Sequence, residues 1–162
     1  MAPPDLSISK IGPDSDLVLR NLFQFYVHDM TEWFDIDTKA DGSFSYDTSL
    51  IWKNGDDAYL AKVGESIAGF ALIGPAVGDS DAQDVREFFV LRKFRRSGIG
   101  RKMATLVWDA HPGEWLVRVL ELNAPAVLFW RAAIESQVRG SYQEELQLVD
   151  GRPWRFFRFV SH

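Results

Sequence analysis

The sequence predicts a mixed α/β (α+β) domain, with one central sheet of about six to seven strands flanked by helices. Three observations predict it. Apolar residues make up 46% of the 162 positions, enough to fill the core of one domain of ordinary size. Segments with helical spacing alternate with short β-rich runs, in the order strand, helix, several strands, helix, strand, helix, strands. Gly, Pro and Asn stand at the joints between them. No internal repeat or low-complexity block interrupts the pattern, so residues 1–162 read as a single domain.

Leu6–Lys10 is the first expected strand. Asp14 to Asp16 offers a helix start, and Leu19, Leu22, Phe23, Tyr26, Met30 and Trp33 recur at helical spacing, which predicts an amphipathic helix to about Thr31. The polar, Gly-containing run from Asp35 to Leu50 reads as a loop. Counted as a calcium loop from Asp37, it has Lys39 at the third ligand position and Thr48 at the twelfth, where oxygen donors and a bidentate Glu are needed, so no calcium is expected. After Asn54-Gly55, "AYLAKV" and "SIAGFALIGPAV" read as strands joined at Gly64-Glu65. "DVREFFVL" is the next strand. A helix follows with Ile99, Met103, Leu106, Val107 and Ala110 on one face, stopped by His111-Pro112-Gly113. "EWLVRVL" is a strand, Asn123 caps a helix with Pro125 in its first turn, and "GSYQEELQLV" and "PWRFFRFV" are strands around Asp150-Gly151.

The formal net charge of −5 argues against general nucleic-acid binding and suits a cationic small substrate. With no cysteine, disulfides, thiolate metal sites and a cysteine nucleophile are excluded. No run is long enough to span a bilayer, and "MAPPDLSISK" lacks the basic start and apolar stretch of a secretory leader, so a cytoplasmic protein is expected. His28, His111 and His162 form no spaced metal pair, so no metal is expected.

Against that acidic background, Arg92, Lys93, Arg95, Arg96, Arg101 and Lys102 gather six of the chain's 18 Lys and Arg around Gly98-Ile99-Gly100. The loop lies between a strand and a helix. A helix start leaves backbone N–H groups unpaired and carries partial positive charge. Glycines let an anion approach that backbone, and arginines add charge-assisted donors. The combination suits a phosphate or pyrophosphate. The third glycine of a dinucleotide loop is missing, and so is the Gly-Lys-Ser/Thr of a triphosphate loop.

The wider pattern "VLRKFRRSGIG" resembles motif A of the GNAT N-acetyltransferase superfamily: Val90 at the strand end, then Arg95, Gly98 and Gly100 in a Gln/Arg-x-x-Gly-x-Gly/Ala loop that opens a helix. Further on, Asn123 and Ala126 match the family's Asn-x-x-Ala helix start, so the specific likeness covers Val85 to about Ala133. The resemblance implies a single GNAT-like acetyltransferase domain with acetyl-CoA, or another acyl-CoA, as co-substrate. It implies that the loop amides of Arg96, Ser97, Gly98, Ile99, Gly100 and Arg101 hold the pyrophosphate. It also implies that pantetheine runs beside backbone near Phe89, Val90 and Leu91, that Asn123 adds a contact to its capping role, and that Trp130 packs on the cofactor arm or in the core.

It further implies direct attack by an amine in a ternary complex. Glu87 is the candidate general base; alternation puts it on one face with Val85 and Phe89, where desolvation would raise its pKa, and the competing expectation is a Glu paired with Arg86 or another basic neighbour. The Val90 N–H is the implied oxyanion donor. Trp130 stands where the family often has Tyr, and the frequent Gly-Phe after that helix is absent. The proton donor to sulfur therefore stays open between Tyr142, Tyr26, water and none. An acceptor site is expected from Tyr26, Trp33 and Tyr46, with Asp29, Phe44 and Trp52 as further candidates. The acceptor is a small-molecule or peptide amine. No nucleic-acid or membrane partner is expected; a homodimer is open, with "WRFFRFV" as a surface for it. The alternative reading is a non-catalytic acyl-CoA-binding module.

Overall fold

The computed structural model describes residues 5–162; Met1–Pro4, part of the stretch read for a leader, lie outside the described residues. In chain order the elements are β1 (Leu6–Ile11), α1 (Asp16–Met30), α2 (Ser49–Asn54), β2 (Asp57–Val63), β3 (Ser66–Ala76), β4 (Asp79–Val90), α3 (Ile99–Ala110), β5 (Gly113–Leu120), α4 (Ala124–Gln137), β6 (Gln143–Val149) and β7 (Arg152–Ser161). The strands form one mixed sheet of seven in the order β1-β2-β3-β4-β5-β7-β6. By packing, the chain divides into two units, Met1–Leu72 with Glu87–Ile99, and Ile73–Arg86 with Gly100–His162.

In the first unit β1 and β2 pair antiparallel, from Leu6 with Val63 to Ile11 with Ala58. The helical spacing read in the sequence is realised in α1, whose Leu19, Leu22, Phe23 and Val27 are buried. They pack with Ala58 and Leu60 of β2, Phe70 and Leu72 of β3, and Phe89 of β4. Burying a Leu or Phe fully is favourable by about 1.5–3 kcal/mol, so this face fixes α1 on the strands. Gly69 lets β3 approach β4 closely: a Cβ there would lie 2.1 Å from the Phe89 carbonyl oxygen.

One element of this unit was not expected. The loop gives way at Ser49 to the short α2, ended by Gly55 in the left-handed region at φ 71°. The Asp16 carboxylate at the start of α1 holds it by accepting from Thr48 Oγ1 at 2.7 Å and Trp52 Nε1 at 2.8 Å. Those bonds, the indole's first, hold the Asp16 carboxyl below its usual value.

In the second unit β5 pairs antiparallel with β7, from Gly113 with Ser161 to Leu120 with Trp154. Asp150 and Gly151, both at positive φ, turn β6 into β7 as the sequence indicates. β4 runs parallel to β5, pairing Gln83 with Trp115 and Asp84 with Leu116. The strand begins at Asp79, five residues before the expected Asp84, because "DSDAQ" carries no apolar alternation to announce it. On α3 the buried face is Ile99, Met103, Ala104, Val107 and Trp108, rotated from the expected one: Leu106 is half-buried and Ala110 exposed. Trp108 anchors it, packing edge-on against Phe159 at 4.9 Å.

Candidate active site

The end of β4 carries the two candidate catalytic groups, and each has a defined surrounding. Glu87 is half-buried, between the buried Val85 and Phe89 on its own face of the strand. Its Oε2 accepts a hydrogen bond from the Tyr26 hydroxyl on α1. Arg86, the partner the sequence offered as the alternative, donates from its guanidinium to the Pro75 carbonyl at 3.0 Å. The Tyr26 phenol is pushed well above its usual value, first by burial and then by the negative charge and hydrogen bond of Glu87.

Backbone geometry at the strand end follows from β3. The Leu91 N–H donates to the Ala68 carbonyl at 2.8 Å, and the Phe89 carbonyl lies against Gly69. Both neighbours of Val90 therefore direct their backbone groups toward β3. Strand alternation turns the Val90 N–H and C=O the other way. The Val90 carbonyl accepts from Arg95 Nε at 2.7 Å. The Leu91 amide is thus used inside the sheet, whereas the Val90 amide is directed away from that ladder.

The glycine loop is less uniform than its sequence. Arg95 is not a free anion donor: it pairs with Asp29 of α1 and lies over the Phe89 ring, 5.5 Å from its centroid. Arg92 bonds the other Asp29 oxygen at 3.0 Å. Asp29, a candidate for the acceptor end, ties the loop to α1 through these two arginines. Arg96 and Arg101 are exposed, and among the described residues neither makes an ion pair. Arg96 has φ 61° and Gly98 φ 80°, two left-handed residues separated only by Ser97. Such alternation turns neighbouring N–H groups toward one point, the geometry that receives an anion. The Ser97 hydroxyl donates to the Phe94 carbonyl at 2.5 Å, and Ile99 is buried, which fixes the loop from below.

The remaining candidates fall in several places. Tyr46 stacks on Phe23 with centroids 3.9 Å apart, so its ring is core-facing. Phe44 is clamped by Gln24 of α1, which accepts from the Phe44 N–H at 2.7 Å and donates to its carbonyl at 3.1 Å. This clamp makes α1 and the loop from Lys39 to Asp47 the walls of an open hollow of about 560 Å³. Trp33 is half-buried in the turn after α1.

In the second unit Asn123 caps α4, accepting from the Ala126 N–H at 3.2 Å. Trp130 is buried against Trp108, with centroids 6.1 Å apart. The Tyr142 hydroxyl donates to Glu135 at 2.9 Å. Among the described residues no three metal-ligating side chains cluster, and no helix is long and apolar enough to cross a membrane.

Sequence reasoning singled out Glu87 and Tyr26 but gave them separate tasks. It missed the roles of Asp29, Gln24 and Gly69. Only Gly69 had a local signal, a glycine inside an apolar strand.

Comparison with known proteins bears on family and fold. The model of the acetyltransferase (GNAT) family matches residues 25–133, a range that contains Tyr26, Glu87 and the glycine loop. An acetyltransferase from Thermus thermophilus has the same fold, with TM-score 0.67, 13% identity and 99% of each chain covered. A spermidine N-acetyltransferase from Vibrio cholerae, solved with CoA and spermine, matches with TM-score 0.67 and 11% identity over 97% of this chain and 96% of that one. A ribosomal-protein-alanine N-acetyltransferase from Brucella melitensis matches with TM-score 0.61 and 15% identity over 95% and 99%. At these identities the likeness is one of fold. No curated protein matches by sequence.

Proposed function

The chain belongs to the GNAT acetyltransferase family, and from that premise we propose that it moves an acetyl group from acetyl-CoA, or another acyl group from its CoA thioester, to a primary amine by direct attack in a ternary complex. The observation that carries this reading is the half-buried Glu87 carboxylate, bonded to Tyr26 three residues before the end of β4, directly ahead of a loop with two left-handed residues.

Each group has a task. The ammonium form of the acceptor must lose one proton before it can attack, and Glu87 takes it, directly or through a water. The nitrogen then bonds to the acyl carbon. Negative charge grows on the former carbonyl oxygen, and the Val90 N–H, turned away from the β3 ladder, is the donor for it. The C–S bond breaks, the nitrogen gives its second proton to solvent, and CoA leaves as thiolate. With a thiol pKa near ~8.5 the thiolate needs no protein acid and is protonated from solvent. The amides from Arg96 to Arg101, with the exposed Arg96 and Arg101 side chains, would hold the pyrophosphate. Arg95 is already engaged with Asp29 and Val90, so its part is to shape the loop. Asn123 keeps its capping bond, and Trp130 supports α4 from the core.

Two proteins of the same fold bear names with amine acceptors, spermidine and a ribosomal-protein alanine. They support an amine here without choosing between small molecule and peptide. A single assay separates the enzyme from a non-catalytic acyl-CoA-binding module: free thiol released from acetyl-CoA in the presence of a panel of polyamines, amino-terminal peptides and small primary amines. The enzyme releases thiol with at least one class. A protein that binds acetyl-CoA but releases none with any amine is the binding module. Binding itself is read by melting temperature, since a ligand at about 100 times its Kd adds ~2.7 kcal/mol. Gly98→Glu, which places a strained, negatively charged residue at φ 80°, should remove that shift.

A further inference from the structure

Resting on the reading of Glu87 as proton acceptor, we infer that Tyr26 is a positioning residue: its hydroxyl bonds the Glu87 carboxylate and so fixes how that group is presented to the amine. Tyr26 then belongs neither to an acceptor wall nor to the protonation of sulfur.

The ring that carries this hydroxyl is fixed by the core. It lies edge-on to Phe23 at 5.7 Å, to Phe70 at 5.8 Å and to Phe89 at 5.9 Å. These three rings are themselves buried. Edge-to-face contacts on several sides leave the phenol one orientation, so its oxygen is placed by α1, β3 and β4 together. A glutamate side chain loses up to about 2 kcal/mol of rotamer freedom when it is fixed. Here the bond to Oε2 offsets that cost before any substrate arrives.

The chemistry of the phenol agrees. Burial and the adjacent carboxylate keep Tyr26 protonated well above neutral pH. A thiolate with pKa near ~8.5 is too weak a base to take that proton, which removes Tyr26 from the candidate acids. Among the described residues, the titratable and charged groups of this unit around the pair include Tyr46, stacked on Phe23, and Asp29 with its arginines Arg92 and Arg95 at the end of α1. β3 contributes the apolar Phe70 and the bare Gly69.

The test compares kcat/KM for acetyl transfer against pH in wild type, Tyr26→Phe and Glu87→Gln. Phenylalanine fits the same ring socket. Without the hydroxyl the charged carboxylate loses a donor, so the acid limb should move up by about one pH unit and kcat should fall about tenfold, with KM little changed. A folded Tyr26→Phe with an unmoved acid limb overturns the inference while leaving Glu87 as base if Glu87→Gln is slow. A Glu87→Gln enzyme with wild-type rate overturns the reading of the base, and the inference with it. Should Tyr26→Phe not fold, ultraviolet titration of the four tyrosines decides. One phenol should ionise at lower pH in Glu87→Gln than in wild type; an unchanged titration overturns the bond.

Discussion

Two acidic residues stand three positions apart on β4, and a different kind of side chain donates to each. Asp84 is fully buried, and its carboxylate accepts from the Arg118 guanidinium at 2.5 Å. Glu87 is half-buried and accepts from a neutral phenol. A cationic partner balances a buried charge and holds it as a charge, which is a structural arrangement. A neutral donor fixes a carboxylate in place without neutralising it, which leaves it able to take a proton. The difference gives the proposed base and its neighbour on the strand different expected behaviour when each carboxylate is removed.

The largest expected effect separates the two. Glu87→Gln should lower kcat/KM by about 10²–10⁴ with little change in melting temperature. Asp84→Asn should do the reverse, leaving Arg118 without its counter-charge. That should cost about 3 kcal/mol, the low end for a broken buried pair, because Arg118 is 39% exposed; chemical denaturation reads it. A smaller effect is expected at Asn123. Losing its cap by Asn123→Ala should cost about 1 kcal/mol in the same denaturation experiment, and any further fall in affinity for acetyl-CoA would reveal a contact beyond the cap.

The smallest effect extends the comparison to half-buried carboxylates with arginine partners. Arg155 holds the Glu121 carboxyl below its usual value, and Arg131 does the same for Glu144, in each case chiefly by hydrogen bonding. A depressed carboxyl stabilises the fold above its unfolded value, near ~4.3, and that contribution is lost as pH falls through the lower, folded one. Melting temperature should therefore hold between pH 7 and about 5 and decline below about 4. Arg155→Gln should flatten that decline.

How much of this was legible in the sequence depended on range. Strands and long helices announce themselves by periodicity, and the Asp150-Gly151 turn by residue type. The six-residue α2 is too short for a period and exists because Asp16 bonds Thr48 and Trp52 from far along the chain. The glycine loop could be read as a candidate anion cradle because its signal is local. The engagement of Arg95 by Asp29 was not, since 66 positions separate them. Glu87 and Tyr26 were both visible as candidates. Their pairing was not, because only folding brings residues 61 apart together.

The most direct test of the account is acetyl transfer per folded molecule, measured for Glu87→Gln and Asp84→Asn side by side at a temperature where both remain folded. The account predicts that the Asp84 variant keeps most of the wild-type rate while the Glu87 variant loses it. An active Glu87 variant beside a folded but inactive Asp84 variant would contradict it.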